Sequence, residues 1–188
     1  MKFTRAELEA FHGATVDDLV DDRTRLLFVG INPGLWTAAV NAHFARRGNR
    51  FWPALYAAGI TPRPIDVSAG MSDADRELVL GLGIGISNIV PTASARAEEL
   101  TLDELRAGAA TLETTVRHWK PEVVAVLGVT AYRQAFGAPK TALGRQDDRL
   151  GDAELWVLPN PSGLNAHETI DSLATWYRSA WDAATGRN

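Results

Sequence analysis

The chain has 188 residues, no cysteine, 46% hydrophobic and 22% charged side chains, and a formal net charge of −4. That length suits one domain with one substantial core; the composition excludes a disordered tail, a collagen and a disulfide scaffold. Without cysteine there is no thiolate nucleophile and no Cys-ligated zinc or iron–sulfur cluster.

The elements follow in chain order. No apolar run approaches the ~18 residues of a membrane span, and Met1-Lys2-Phe3-Thr4 does not open a signal peptide, so a cytoplasmic protein without a membrane partner is expected. Residues 24–30 read as a buried strand, a short apolar run ending in glycine. Helical spacing covers residues 49–58 and 72–82, the latter opening on Ser72 as N-cap. Residues 85–90 form a second strand. The longest helix, 101–119, begins Thr101-Leu102-Asp103-Glu104, a capping-box pattern. Residues 122–128 are a third strand, 129–136 a short helix, 154–158 a fourth strand, and 167–184 the closing helix. Continuously apolar strands alternating with helices predict a single-domain, three-layer α/β/α sandwich around a mostly parallel sheet of four to five strands. In such sheets ligands bind at the carboxyl ends of the strands.

Charge is uneven. From Arg23 to Ile65 there are six arginines and no acidic residue, three of them (Arg46, Arg47, Arg50) within eight positions. A positive patch on an acidic body suits contact with phosphates, because screening confines each charge to roughly 8–10 Å. A solvated loop leading into a helix would look the same.

Two similar turns end two of the strands: Gly30-Ile31-Asn32-Pro33-Gly34 and Pro159-Asn160-Pro161-Ser162-Gly163-Leu164. Proline forces the asparagine before it into an extended backbone, and the glycines let other backbone amides approach a ligand. The outcome is two fixed carboxamides at one sheet edge.

These two motifs, with Asn49-Arg50-Phe51-Trp52 and Leu127-Gly128 at matching spacing, resemble the mismatch-specific uracil-DNA glycosylase and thymine-DNA glycosylase family across roughly residues 26–177. The resemblance implies a DNA-repair glycosylase that flips uracil out of mismatched double-stranded DNA, chiefly opposite guanine. It then hydrolyses the glycosidic bond without nicking the strand, and needs no metal or cofactor. Asn32 would hold the attacking water and Asn160 support the departing base. Backbone amides near Ile31 would read the uracil edge, Phe44 would stack on it, and Thr37 and Asn88 would line the pocket. Leu164 would fill the vacated space, with Ser162 and Gly163 in the same turn, and Arg46, Arg47 and Arg50 would face the DNA. After the wedge the family carries Ser-Arg or a similar pair. Here Asn165-Ala166-His167 follows, so Asn165 and His167 are the residues placed to substitute. Pro91-Thr92 likewise replaces the family's acid and arginine after Asn88-Ile89-Val90. A monomer is expected, since the duplex itself must cover the exposed edge.

Other classes fit less well. Gly81-Leu82-Gly83-Ile84-Gly85 precedes a strand instead of following one, and no P-loop is present, which disfavours a nucleotide-binding protein. A nucleophile elbow at Ser162 would need glycine at Asn160 and Leu164. The four histidines show no metal-ligand spacing. A catalytically silent DNA-damage-binding module remains open at this stage.

Overall fold

The computed structural model describes residues 3–187. Its elements are α1 (Arg5–Glu9), β1 (Leu26–Gly30), α2 (Leu35–Val40), α3 (Phe51–Ala57), α4 (Asp73–Gly81), β2 (Ile84–Asn88), a 3-10 turn (Ala97–Glu99), α5 (Leu102–Trp119), β3 (Val123–Leu127), α6 (Val129–Ala135), β4 (Gly144–Leu150), β5 (Ala153–Leu158) and α7 (Ile170–Thr185). The five strands lie in the order β2-β1-β3-β5-β4. All neighbours are parallel except β4, which pairs antiparallel with β5.

Alternation along the strands builds the layers. Leu26 and Phe28 of β1 face a core shared with α3, α4 and α7, where Phe28 meets the rings of Phe51 (5.2 Å) and Tyr177 (5.1 Å). Leu27 and Val29 face the opposite core, closed by α5 and α6. Every residue of β1 and β3 is buried, the reason both read as unbroken apolar runs. The expected sandwich is therefore the fold.

Local chemistry sets the helix ends. Ser72 and Thr101 cap α4 and α5, the latter with the reciprocal Glu104 bond of a capping box. α7 starts at Ile170, three residues later than the spacing predicts, because Thr169 is its N-cap and residues 165–168 stay in the preceding loop. α1, α2 and β4 have no counterpart in the sequence reading.

The rims of the sheet are treated differently. Outside β2, Leu19 makes one antiparallel bridge with Ile86, each N–H donating to the other's carbonyl (2.9 and 2.7 Å). At the far side β4 carries Arg145, Asp147, Asp148 and Arg149 and shifts register between Arg145 and Arg149.

Candidate active site

The parallel strands bring their carboxyl ends to one edge, and there the two Asn-Pro turns meet. Ile31, Asn32, Gly34, Arg46, Asn49, Ser94, Arg96, Asn160, Ser162, Leu164 and Asn165 are among the residues lining a single open cleft of about 690 Å³. That volume lies within the ~300–1,000 Å³ typical of small-ligand sites.

Asn32 is held by one end only. Its amide nitrogen donates to Ser94 Oγ (2.8 Å) and to the carbonyls of Thr92 and Pro33 (3.2 Å each). Ser94 Oγ in turn donates to the Arg96 carbonyl (2.7 Å), so toward Asn32 it acts as an acceptor. Three acceptors around one atom fix which end of the carboxamide is nitrogen. Oδ1, without a partner among the described residues, is the end left for the cleft. The segment after β2 supplies this cradle by continuing alongside the turn, with Val90 N–H donating to the Ile31 carbonyl (2.9 Å) and Ser94 N–H to that of Pro33 (3.2 Å).

Asn160 has the opposite polarity. Its Oδ1 accepts from Ser162 N–H (2.9 Å), while its amide nitrogen has no partner among the described residues and is available as a donor. Its loop is braced by short polar turns: Leu164 N–H to Ser162 Oγ (3.3 Å), Asn165 Nδ2 to the Asn160 carbonyl (3.0 Å), and His167 N–H to Asn165 Oδ1 (3.2 Å). At the tip Leu164 is 80% exposed, the most exposed of the large hydrophobic side chains among the described residues. A leucine packing against the last helix would be buried, and this one is not.

Next to the cleft, Gly30 is paired in register with Asn88. A Cβ built on Gly30 would lie 2.6 Å from Asn88 Oδ1 and 3.3 Å from Phe44 Cζ, so glycine lets these two side chains close over the β1 backbone. Phe44 lines the neighbouring depression that also holds Arg47, and Asn88 does not line the cleft. Phe44 has φ +58°, the left-handed region that residues other than glycine seldom adopt. Its ring stacks on Phe51 at 4.1 Å, which leaves only its second face for a base.

His43 orients Asn88. Its Nε2 lies 2.9 Å from the Asp17 carbonyl, an acceptor, so Nε2 carries the proton. The neutral ring then offers Nδ1 as acceptor to Asn88 Nδ2 (3.4 Å), and Asn88 Oδ1 is turned toward Gly30. The neighbouring Arg46 and Arg47 are exposed, and His43 itself would suit the same surface loop. It is instead 5% exposed, because α2 ends in the left-handed Asn41 and folds the following residues back over the core. Burial, reinforced by Arg76, lowers its pKa to about 4, against the opposing pull of the Asp17 carbonyl and carboxylate. In an unfolded chain the imidazole titrates near 6.5. The buried neutral ring thus contributes stability above pH 6.5 that is lost as pH falls toward 4, roughly 3 kcal/mol in full. Thermal melts between pH 7 and pH 4 should show this loss, and His43→Gln should flatten it. Parallel curves for the two proteins would disprove the assignment.

The arginines divide into three roles. Arg46 is exposed and lines the cleft, whereas Arg47 lines a neighbouring depression with Asp66. Arg50 is half-buried, and its guanidinium donates to the carbonyls of Gly163 (3.1 Å), Asn165 (3.0 Å) and Glu168 (2.6 Å). Sequence reading assigns it to DNA; its observed partners are protein. Arg96 is an exposed cation of the cleft wall that the sequence reading misses, as it does Ser94. Thr37 is buried in α2 and does not line the cleft, and His167 lines a second depression behind Asn160.

Comparison with known proteins bears on the family and the fold. The profile of the Uracil DNA glycosylase superfamily matches residues 18–184. A Methanosarcina acetivorans protein, solved by solution NMR as a candidate uracil DNA glycosylase, is similar in fold. The TM-score is 0.57 at 15% identity, covering 91% of this chain and 97% of that one.

Proposed function

Because the chain belongs to the uracil DNA glycosylase superfamily, a group of DNA-repair hydrolases acting on DNA, we propose that it is a monofunctional, mismatch-directed enzyme. It extrudes uracil, chiefly opposite guanine, and leaves an abasic site. Resemblance of both Asn-Pro motifs to the mismatch-specific branch supports the finer assignment. The observation that carries the mechanism is the Asn32 carboxamide, anchored by its nitrogen with its oxygen free in a cleft shared with Asn160 and Leu164.

The glycosidic bond lies within the duplex, so the nucleotide must leave the stack, at a cost of a few kcal/mol that a mismatch lowers. Leu164 occupies the gap, as apolar wedges do in proteins that unstack DNA. The extruded base lies against the free face of Phe44, beside Asn88. Asn88 Oδ1 accepts from N3–H, a group that uracil has and cytosine lacks. As the bond breaks, positive charge develops on the sugar and negative charge on the base. Asparagine takes no proton; Asn32 Oδ1 accepts a hydrogen bond from water and aims its lone pair at the anomeric carbon. Asn160 Nδ2 donates to the base O2 as charge gathers there, a preorganised contact typically worth a few kcal/mol. Arg46 and Arg96 meet the flanking phosphates, and the enzyme works as a monomer with the duplex covering the cleft.

The test is alkali-dependent cleavage of labelled oligonucleotides bearing uracil opposite guanine, opposite adenine and in single strands. Parallel arms carry thymine, ethenocytosine, hypoxanthine and xanthine. Release fastest from the guanine mismatch, with nicking only after alkali, is the expected result. Tight binding of an abasic duplex without release of any base would identify a silent damage-binding module instead.

A further inference from the structure

Arg50 stands in the most basic stretch of the chain, yet the atoms it meets are carbonyls. Three of its five N–H donors bond Gly163, Asn165 and Glu168, and its backbone N–H donates to the Pro161 carbonyl (2.9 Å). All four acceptors belong to the loop that carries Leu164. The two loops also touch directly, since a Cβ on Gly163 would lie 2.5 Å from the Gly48 carbonyl oxygen. Charge-assisted bonds from a planar fork are the stronger and more directional kind.

We infer that Arg50 is a positioning residue, a latch that holds the Leu164 turn in the shape that enters the base stack, and that it does not serve as a phosphate contact. A leucine on a free loop would lose rotational and loop freedom on entering DNA, and the ordering of such groups opposes insertion. The latch places that ordering in the folded protein, before DNA arrives. It acts where insertion is needed, so a base that is already unpaired depends on it less. This inference rests on the wedge role proposed for Leu164.

Its test uses the full chain as wild type, Arg50→Lys, Arg50→Gln and Leu164→Ala. Each is assayed on uracil opposite guanine in a duplex and on uracil unpaired in a single-nucleotide bulge. Flipping is read separately from the fluorescence of 2-aminopurine placed beside the uracil. Lysine keeps the charge but loses the fork. Arg50→Lys is therefore expected to lose about tenfold more release and flipping on the paired base than on the bulged one, as Leu164→Ala does.

Binding to a duplex carrying an abasic-site analogue, measured against salt, supplies the second readout. A phosphate contact contributes about 0.9 to the slope of log K against log salt, and Arg50→Gln is expected to leave that slope unchanged. A shallower slope for Arg50→Gln, or an Arg50→Lys enzyme equal to wild type on the paired base, overturns the latch. If Leu164→Ala itself treats both substrates alike, the wedge reading fails and the latch with it. Bias in Leu164→Ala without bias in Arg50→Lys sinks the latch alone.

Discussion

Replacing Asn32 by alanine is expected to lower base release by about 10²–10³-fold, the typical cost of one preorganised polar contact to a transition state. DNA affinity should stay near wild type, because the exposed cations of the cleft, Arg46 and Arg96, make no side-chain bond to it. The near-isosteric Asn32→Asp should rescue little. Its second oxygen would occupy the place of Nδ2, against the carbonyls of Pro33 and Thr92 at 3.2 Å and an already committed Ser94 hydroxyl. Only a protonated carboxyl fits there, and a half-buried charge facing acceptors is disfavoured. Single-turnover rates with both variants on the guanine–uracil duplex check this. Undiminished release from the alanine variant would remove the water-holding role.

Gly108→Ala should be the most damaging of the small substitutions. Gly108 lies inside α5, where alanine ordinarily favours helix. A Cβ there would sit within contact distance of the Ile89 carbonyl oxygen and carbon, and backbone cannot rotate away as a side chain can. Ile89 N–H bonds the Gly30 carbonyl (2.9 Å), so pushing it outward also disturbs the backbone beside Asn88. Overpacking of this kind costs about 3 kcal/mol, and a chain of this size loses ~2–4 °C of Tm per kcal/mol. A fall of about 6–12 °C is expected by calorimetry. Gly81→Ala is the matched control: nothing lies within 4 Å of its Cβ, so the same methyl should be neutral or slightly stabilising. Equal melting points for the two variants would refute the packing argument.

β1 and β3 were legible because burial on both faces leaves an unbroken apolar run; β2 and β5 showed through the shorter stretches Ile84–Ile86 and Leu155–Leu158. β4 was not legible, since as an edge strand it reads Gly-Arg-Gln-Asp-Asp-Arg-Leu, with only its two end residues buried. α2 was hidden behind Pro33-Gly34, which reads as a turn although Gly34 is the helix N-cap. At the site, the pairing of Asn32 with Asn160 followed from topology alone, because both turns end strands of one sheet. The third wall, residues 94–98, has no periodicity to announce it, and Ser94 becomes meaningful only when its hydroxyl is seen between Asn32 and Arg96. Arg50 shows the reverse failure. Charge in a sequence says where a cation is, and says nothing of the carbonyls that will surround it.

The bridge at Leu19 has a consequence for how copies of the protein meet. A bare strand margin is a template on which another chain can stack its own backbone. On the β2 side that template is occupied at Ile86 by the protein's own N-terminal segment, and on the other side the charges and broken register of β4 spoil it. Strand-to-strand association is therefore disfavoured at both margins. The carboxyl ends of the parallel strands, where the two Asn-Pro turns stand, are left as the open edge of the sheet.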